Sequence, residues 1–196
     1  MPTADPPAAP RLAPVTPADF ALLRDLATRI WRQAYTGMIP AAQIDYMLGN
    51  RFADEALERV IHDPDRWLEI LRVAGTPVGY CGGEVVAAEP DTLKLGQLYL
   101  LDAFRGRGLG RFMLERVEER ARLLGKGTIF LQVHKRNTAA QAFYRAAGFT
   151  LRGPAVFDIG GGFFMDDYLL EKRLDRFGPD AAAVGEVGPP RRDRAE

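Results

Sequence analysis

At 196 residues, 47% of them apolar and 10% aromatic, the chain is long enough to fill one hydrophobic core and fits a single domain. Its 26 Lys+Arg balance 26 Asp+Glu, so bulk charge gives no reason to expect a nucleic-acid or membrane partner. The sequence has no apolar run of membrane-spanning length, no signal-peptide core near its Pro/Ala-rich start and one cysteine, Cys81, which sets the expectation of a cytoplasmic protein without an intramolecular disulfide.

Residues 1–13, rich in Pro and Ala, are expected to form a disordered arm, although residues 11–16 also suit a short first strand. Thr16 is a helix cap with Pro17 in the first turn, and Phe20, Leu23, Ala27 and Ile30 then repeat at helical spacing toward Tyr35. Residues 35–40 read as a loop, and 41–48 and 53–61 as two more helices. Strands are expected at 67–73 and 77–86, joined by the turn Ala74-Gly75-Thr76, and again at 92–101. A helix over 109–124 and a buried strand over 128–133 follow. Asn137 is a good cap for a short helix whose stripe is Ala139, Ala140, Phe143 and Ala147, and Gly148 is a good stop. Residues 150–157 and 165–172 bracket Gly160-Gly161-Gly162 and read as a last hairpin. The expected domain is 14–174, with a disordered tail over 175–196.

The most informative segment is Arg105-Gly106-Arg107-Gly108-Leu109-Gly110, between the strand ending near Leu101 and the helix starting at Leu109. Glycines let the backbone come close to a phosphate. The first N–H groups of the helix have no partner within it, and its dipole favours an anion there. Arg105, Arg107 and Arg111 add charge and paired donors suited to phosphate oxygens. The pattern points to a pyrophosphate-bearing ligand. It is not a Walker loop, since Gly110 is followed by Arg111-Phe112 rather than Lys-Ser/Thr. It is not a dinucleotide fingerprint either: the third glycine comes one place early, and the next strand ends at His134 instead of an acid.

A second block, Asn137, Ala140, Phe143, Tyr144, Gly148 and Phe149, follows at a suitable distance. Together the two blocks resemble the GNAT acetyltransferase superfamily, whose pyrophosphate signature is Arg/Gln-x-x-Gly-x-Gly/Ala and whose second signature is Asn-x-x-Ala-x-x-Phe-Tyr-x-x-x-Gly-Phe. The resemblance is strong over 94–149, looser over 15–86, and reaches neither terminus. It implies an α/β fold with a mixed, mostly antiparallel central sheet, helices on both faces, and a splay between the fourth and fifth strands that admits coenzyme A. It implies acetyl-CoA as co-substrate, direct transfer to an amine in a ternary complex, and a homodimer, as relatives often form.

By the same resemblance the pantetheine and acetyl carbonyl meet backbone groups of Tyr99, Leu100 and Leu101. The diphosphate meets Arg105, Gly106, Arg107, Gly108, Leu109, Gly110 and Arg111. Asn137 contacts the cofactor arm, and Tyr144 is the general acid for the departing thiolate. For the base the residues offer Glu84 beside Gly82-Gly83, Gln97 through a water, Asp102 and His134, with Glu84 favoured. Lys94 stands where many relatives carry an acid. Cys81 reads as packing rather than a nucleophile. The acceptor is expected between the early helices and the last hairpin, with Tyr35, Asp158 and Asp167 around a cationic amine. No metal site is expected. A small polyamine-like amine is the favoured acceptor. The alternatives are a protein N-terminus, an antibiotic, a non-catalytic coenzyme A sensor or scaffold, and a nucleotide-binding regulator.

Overall fold

A computed structural model describes residues 9–175; residues 1–8 of the expected arm over 1–13 and residues 176–196 of the expected tail over 175–196 lie outside the described residues. Seven strands form one sheet in the order β1-β2-β3-β4-β5-β7-β6. They are β1 (Arg11–Pro14), β2 (Arg66–Val73), β3 (Thr76–Val85), β4 (Thr92–Leu100), β5 (Thr128–His134), β6 (Thr150–Gly160) and β7 (Phe163–Arg173). The helices are α1 (Phe20–Tyr35), α2 (Ala41–Arg51), α3 (Asp54–His62), α4 (Leu109–Leu123) and α5 (Thr138–Ala146). Among the described residues, only β4 and β5 pair in parallel; every other neighbouring pair is antiparallel.

Strand β1 takes Arg11, Leu12 and Ala13 into the sheet opposite Arg72, Leu71 and Ile70, so the last residues of the expected arm are ordered. A short 3-10 turn, Pro17–Asp19, precedes α1, and the Thr16 amide and hydroxyl both donate to the Asp19 carboxylate. This joins two groups at the helix start that would otherwise lack partners.

Helices α1 to α3 cover one face of the sheet, where Trp31, Phe52, Leu57 and Ile70 pack with Tyr80. Helices α4 and α5 cover the other. There Leu114, Val117 and Ala121 of α4 meet Leu93 and Leu95 of β4 and Ile129 and Leu131 of β5, while Leu109 and Met113 pack with Cys81 and Leu100. The i, i+4 spacing of Leu109, Met113, Val117 and Ala121 places them in one row. Among the described residues, no helix is long and apolar enough to cross a membrane.

Two irregularities in β4 shape the site. Gly82 pairs with Gln97 but Gly83 pairs with Leu95, so Gly96 is an extra residue, a β-bulge. The bulge reverses the in–out alternation, which lets Lys94 and Gln97 share the α1 face although three positions separate them. The parallel ladder with β5 also stops at Leu95↔Leu131. Beyond that point the two strands diverge, as the resemblance implied.

Candidate active site

A cleft of about 420 Å3 opens where β4 and β5 part. Its floor at one end is the turn into α4. Gly106 and Gly108 have φ of 72° and 77°, a left-handed conformation that side-chain-bearing residues rarely adopt, and nothing stands within 4 Å of where a Cβ would project. The Phe112 amide donates to the Gly108 carbonyl, so the N–H groups of Leu109, Gly110 and Arg111 precede the helical ladder. Two bare glycines beside three unclaimed donors fit a diphosphate.

Arg105 and Arg111 line this cleft. Arg105 holds Asp102 at 3.0 Å and Arg111 holds Glu115 at 2.9 Å, both exposed pairs that contribute little and leave donors for an anion. Two residues of the expected set depart from it. Arg107 stacks over the Phe104 ring, 5.1 Å from its centroid, and does not line the cleft. Leu109 is buried among Met113 and Leu100, so only its backbone is available.

The backbone of β4 needs a correction as well. The Leu101 amide donates to the Val78 carbonyl at 2.9 Å and is not free for a ligand. Tyr99 lies two residues earlier and pairs with Tyr80, so its backbone also faces β3. The same alternation turns the N–H groups of Leu98 and Leu100 toward the gap. Leu100 was anticipated and Leu98 was not; knowing which strand edge β3 occupies would have identified both. Tyr99 instead contributes its ring, whose hydroxyl is 2.9 Å from that of Tyr35.

Asn137 lines the cleft and caps α5, its Oδ1 accepting from the Ala140 amide at 3.1 Å. About two turns on, Tyr144 is 8% exposed and packs edge-on against Phe143 and Phe149. Its hydroxyl has no hydrogen-bond partner among the described residues while its ring lines the cleft. Burial, with Tyr99 and Cys81 nearby, pushes its pKa well up, so it remains a neutral phenol able to donate.

A second cavity, of about 710 Å3, lies on the α1–α3 side. Tyr35, Leu95, Gly96, Gln97, Tyr99 and Gln132 line both spaces, so the two meet at the β4 bulge. Here the candidate bases separate. Burial raises the Glu84 carboxyl, but the Lys94 hydrogen bond and charge, with Arg66 and Arg51, outweigh that and hold it below the usual range. Lys94 sits 2.8 Å and Arg66 3.1 Å from Glu84, which makes it an ion-pair member and a poor proton acceptor. Asp102 lines neither cavity. His134 does line the second one, and its pKa is lowered, first by burial. Its Nδ1 accepts from the Arg136 amide at 3.2 Å, which assigns the proton of the neutral ring to Nε2 and makes that atom a donor.

Asp167 behaves differently. It is 5% exposed, lines the second cavity, and its Oδ1 is buried with no partner among the described residues. Burial first, then the neighbouring Asp166 charge, push its pKa up to about 6 against a pull from Lys135. Gln97 Oε1 is likewise buried and unpartnered in the same cavity wall. Asp158, by contrast, is exposed, because Phe157 and Ile159 take the cavity face and strand alternation turns Asp158 the other way. Its Oδ1 accepts from the Gly160 amide in the hairpin turn. Cys81 is fully buried and its thiol is pushed up to about 12, mainly by burial, so it is no nucleophile.

Comparisons with known proteins agree with this geometry. The model of the acetyltransferase (GNAT) family matches residues 24–149, and the chain belongs to that family. It is thus an acetyl-CoA-dependent acyltransferase of the N-acetyltransferase type. An uncharacterised N-acetyltransferase from the pepI 3' region of Lactobacillus delbrueckii subsp. lactis is 32% identical over 126 residues, covering 62% of this chain and 72% of that protein. In fold, the chain is similar to the PaiA N-acetyltransferase of Thermoplasma acidophilum in complex with coenzyme A: TM-score 0.71, 21% identity, covering 85% of this chain and 99% of the other. It is also similar to a spermidine N-acetyltransferase SpeG chimera from Vibrio cholerae and hSSAT: TM-score 0.64, 20% identity, covering 84% and 95%.

Proposed function

We propose that the protein moves the acetyl group of acetyl-CoA directly to the primary amine of a small acceptor, with both substrates bound at once in a cytoplasmic setting. The observation that carries this reading is the wall shared by the two cavities at Gly96, Gln97, Tyr99 and Gln132. Holding both reactants against one wall supplies the proximity that transfer needs. A sealed Cys81 leaves no thiol to carry the acetyl group between them.

An amine with a pKa near 10 costs about 4 kcal/mol to deprotonate at neutral pH. In this reading Asp167 accepts that proton through its unpartnered carboxylate oxygen. The amine nitrogen then attacks the thioester carbonyl and the carbon–sulfur bond breaks. The Leu98 and Leu100 N–H groups stabilise the charge on the carbonyl oxygen, and Tyr144 donates its proton to the departing thiolate, recovering one from solvent. A polyamine-like acceptor has the likeness to SpeG on its side, but that likeness is one of fold, and the charge around the cavity runs the other way. A coenzyme A sensor would need neither a second cavity nor a free Tyr144 hydroxyl.

The test measures acetyl-CoA consumption over a panel of amines with wild type and Tyr144→Phe. Turnover by wild type that falls sharply in the variant, with acetyl-CoA still raising the melting temperature of both, supports transfer. Equal turnover removes the acid role. Stabilisation by ATP or NADH in place of acetyl-CoA removes the cofactor reading.

A further inference from the structure

We infer that the acceptor amine carries an anionic group, a carboxylate or a phosphate, which Arg51 and Arg59 hold at the mouth of the second cavity. This rests on the acetyl-transfer reading of that cavity and narrows its acceptor class. Four cationic side chains line it, Arg51, Arg59, Arg66 and Lys94, against two carboxylates, Glu84 and Asp167. Arg66 and Lys94 both pair with Glu84, and Arg66 also with Asp63 at 3.3 Å. Arg51, the last residue of α2, and Arg59 of α3 have no ion pair or hydrogen bond among the described residues. Arg51 is aimed inward: its guanidinium lies 5.9 Å from the Trp31 ring centroid, and its charge is felt by Tyr80, Tyr99 and Glu84.

Both guanidinium groups are exposed and lack an anionic partner among the described residues, so their paired donors are available to an incoming anion. The bare oxygens of Asp167 and Gln97 line the same cavity from β7 and β4, with Gln97 also lining the cofactor cleft, whereas Arg51 and Arg59 stand on α2 and α3. The polarity therefore suits a molecule with an amine at one end and an anion at the other. A polycation would bring like charge to the mouth. The volume of about 710 Å3 is that of a small-molecule site.

The experiment compares kcat/KM, at saturating acetyl-CoA, for short straight-chain primary amines of matched length whose far end is a methyl, a carboxylate, a phosphate or a second amine. The expected result is a preference for an anionic end over the methyl of about tenfold or more, which corresponds to about 1.4 kcal/mol. The carboxylate and phosphate arms identify the anion. Arg51→Gln and Arg59→Gln should each reduce the ratio of anionic to methyl substrate toward one, mainly through KM, and Arg51→Lys should restore part of it. A variant that lowers all substrates equally has lost structure, not an anion contact, and overturns the inference. So does a best substrate with a methyl or a second amine, which leaves acetyl transfer itself standing. No turnover with any amine, although acetyl-CoA raises the melting temperature, overturns both the inference and the transfer reading.

Discussion

Two carboxylates line the second cavity and differ in what surrounds them, and the proposed transfer gives them different roles on that ground. Glu84 is held by Lys94 at 2.8 Å and Arg66 at 3.1 Å, whereas Asp167 has an oxygen with no partner. Asp167→Asn should lower kcat by about a hundredfold or more, the scale of general base catalysis, and should erase a limb of the pH–rate profile near pH 6. Glu84→Gln should cost much less in kcat and keep that limb; retention of the limb in Asp167→Asn and its loss in Glu84→Gln would reverse the assignment. Tyr144→Phe should lower kcat with little change in the KM for acetyl-CoA, since the lost hydroxyl would serve the departing thiolate and not the diphosphate. The sequence made Tyr144 and Asn137 legible because their spacing is local. It favoured Glu84 because Gly82-Gly83 adjoin it, and no local signal reveals that strand pairing brings Lys94 and Arg66 to the same carboxylate.

Strand β4 does most of the positioning among the elements. It supplies donors to the cofactor cleft, the Tyr99 ring to both cavities, and the bulge where they meet. Its partner β3 must come very close at Gly83, where an added Cβ would overlap the Lys94 carbonyl oxygen and the Trp67 ring. A backbone atom cannot move aside as a flexible side chain can. Gly83→Ala should therefore destabilise by about 1–3 kcal/mol, visible as a lower melting temperature, and should impair activity through the displaced bulge. An unchanged melting temperature would show that β3 and β4 have slack there. Most strands and helices were legible from period and punctuation. The bulge was not, because an extra residue shows only once two strands are aligned. Asp158 and Leu101 were misassigned for the same reason: which side a strand residue faces depends on a partner distant in sequence.

The whole molecule carries one cavity where the sheet splits and another on the α1–α3 side, and stability should register the buried acid that lines the second. The Asp167 pKa of about 6 lies above the ordinary Asp value of 3.8, so the folded protein binds more protons than the unfolded chain between those values. Its stability contribution is therefore intact below the lower value and is lost as pH rises through the upper one. Asp167→Asn should raise the melting temperature at pH 8, have little effect near pH 3, and still reduce activity; a lower melting temperature at pH 8 would mean that the ionised carboxylate has a partner. Initial-rate lines from varied acetyl-CoA and amine should intersect. Parallel lines would require a covalent carrier that the fold does not offer.

The extra residue at Gly96 also governs which surface of β4 is oily. Removing it would move the preceding residues one step along the pleat. Lys94 would then be driven toward the α4 layer, while Leu93 and Leu95 would turn out into the watery pocket. A single missing glycine would thus turn half a strand inside out, with an ammonium forced among leucines and the junction of the two cavities erased at the same stroke.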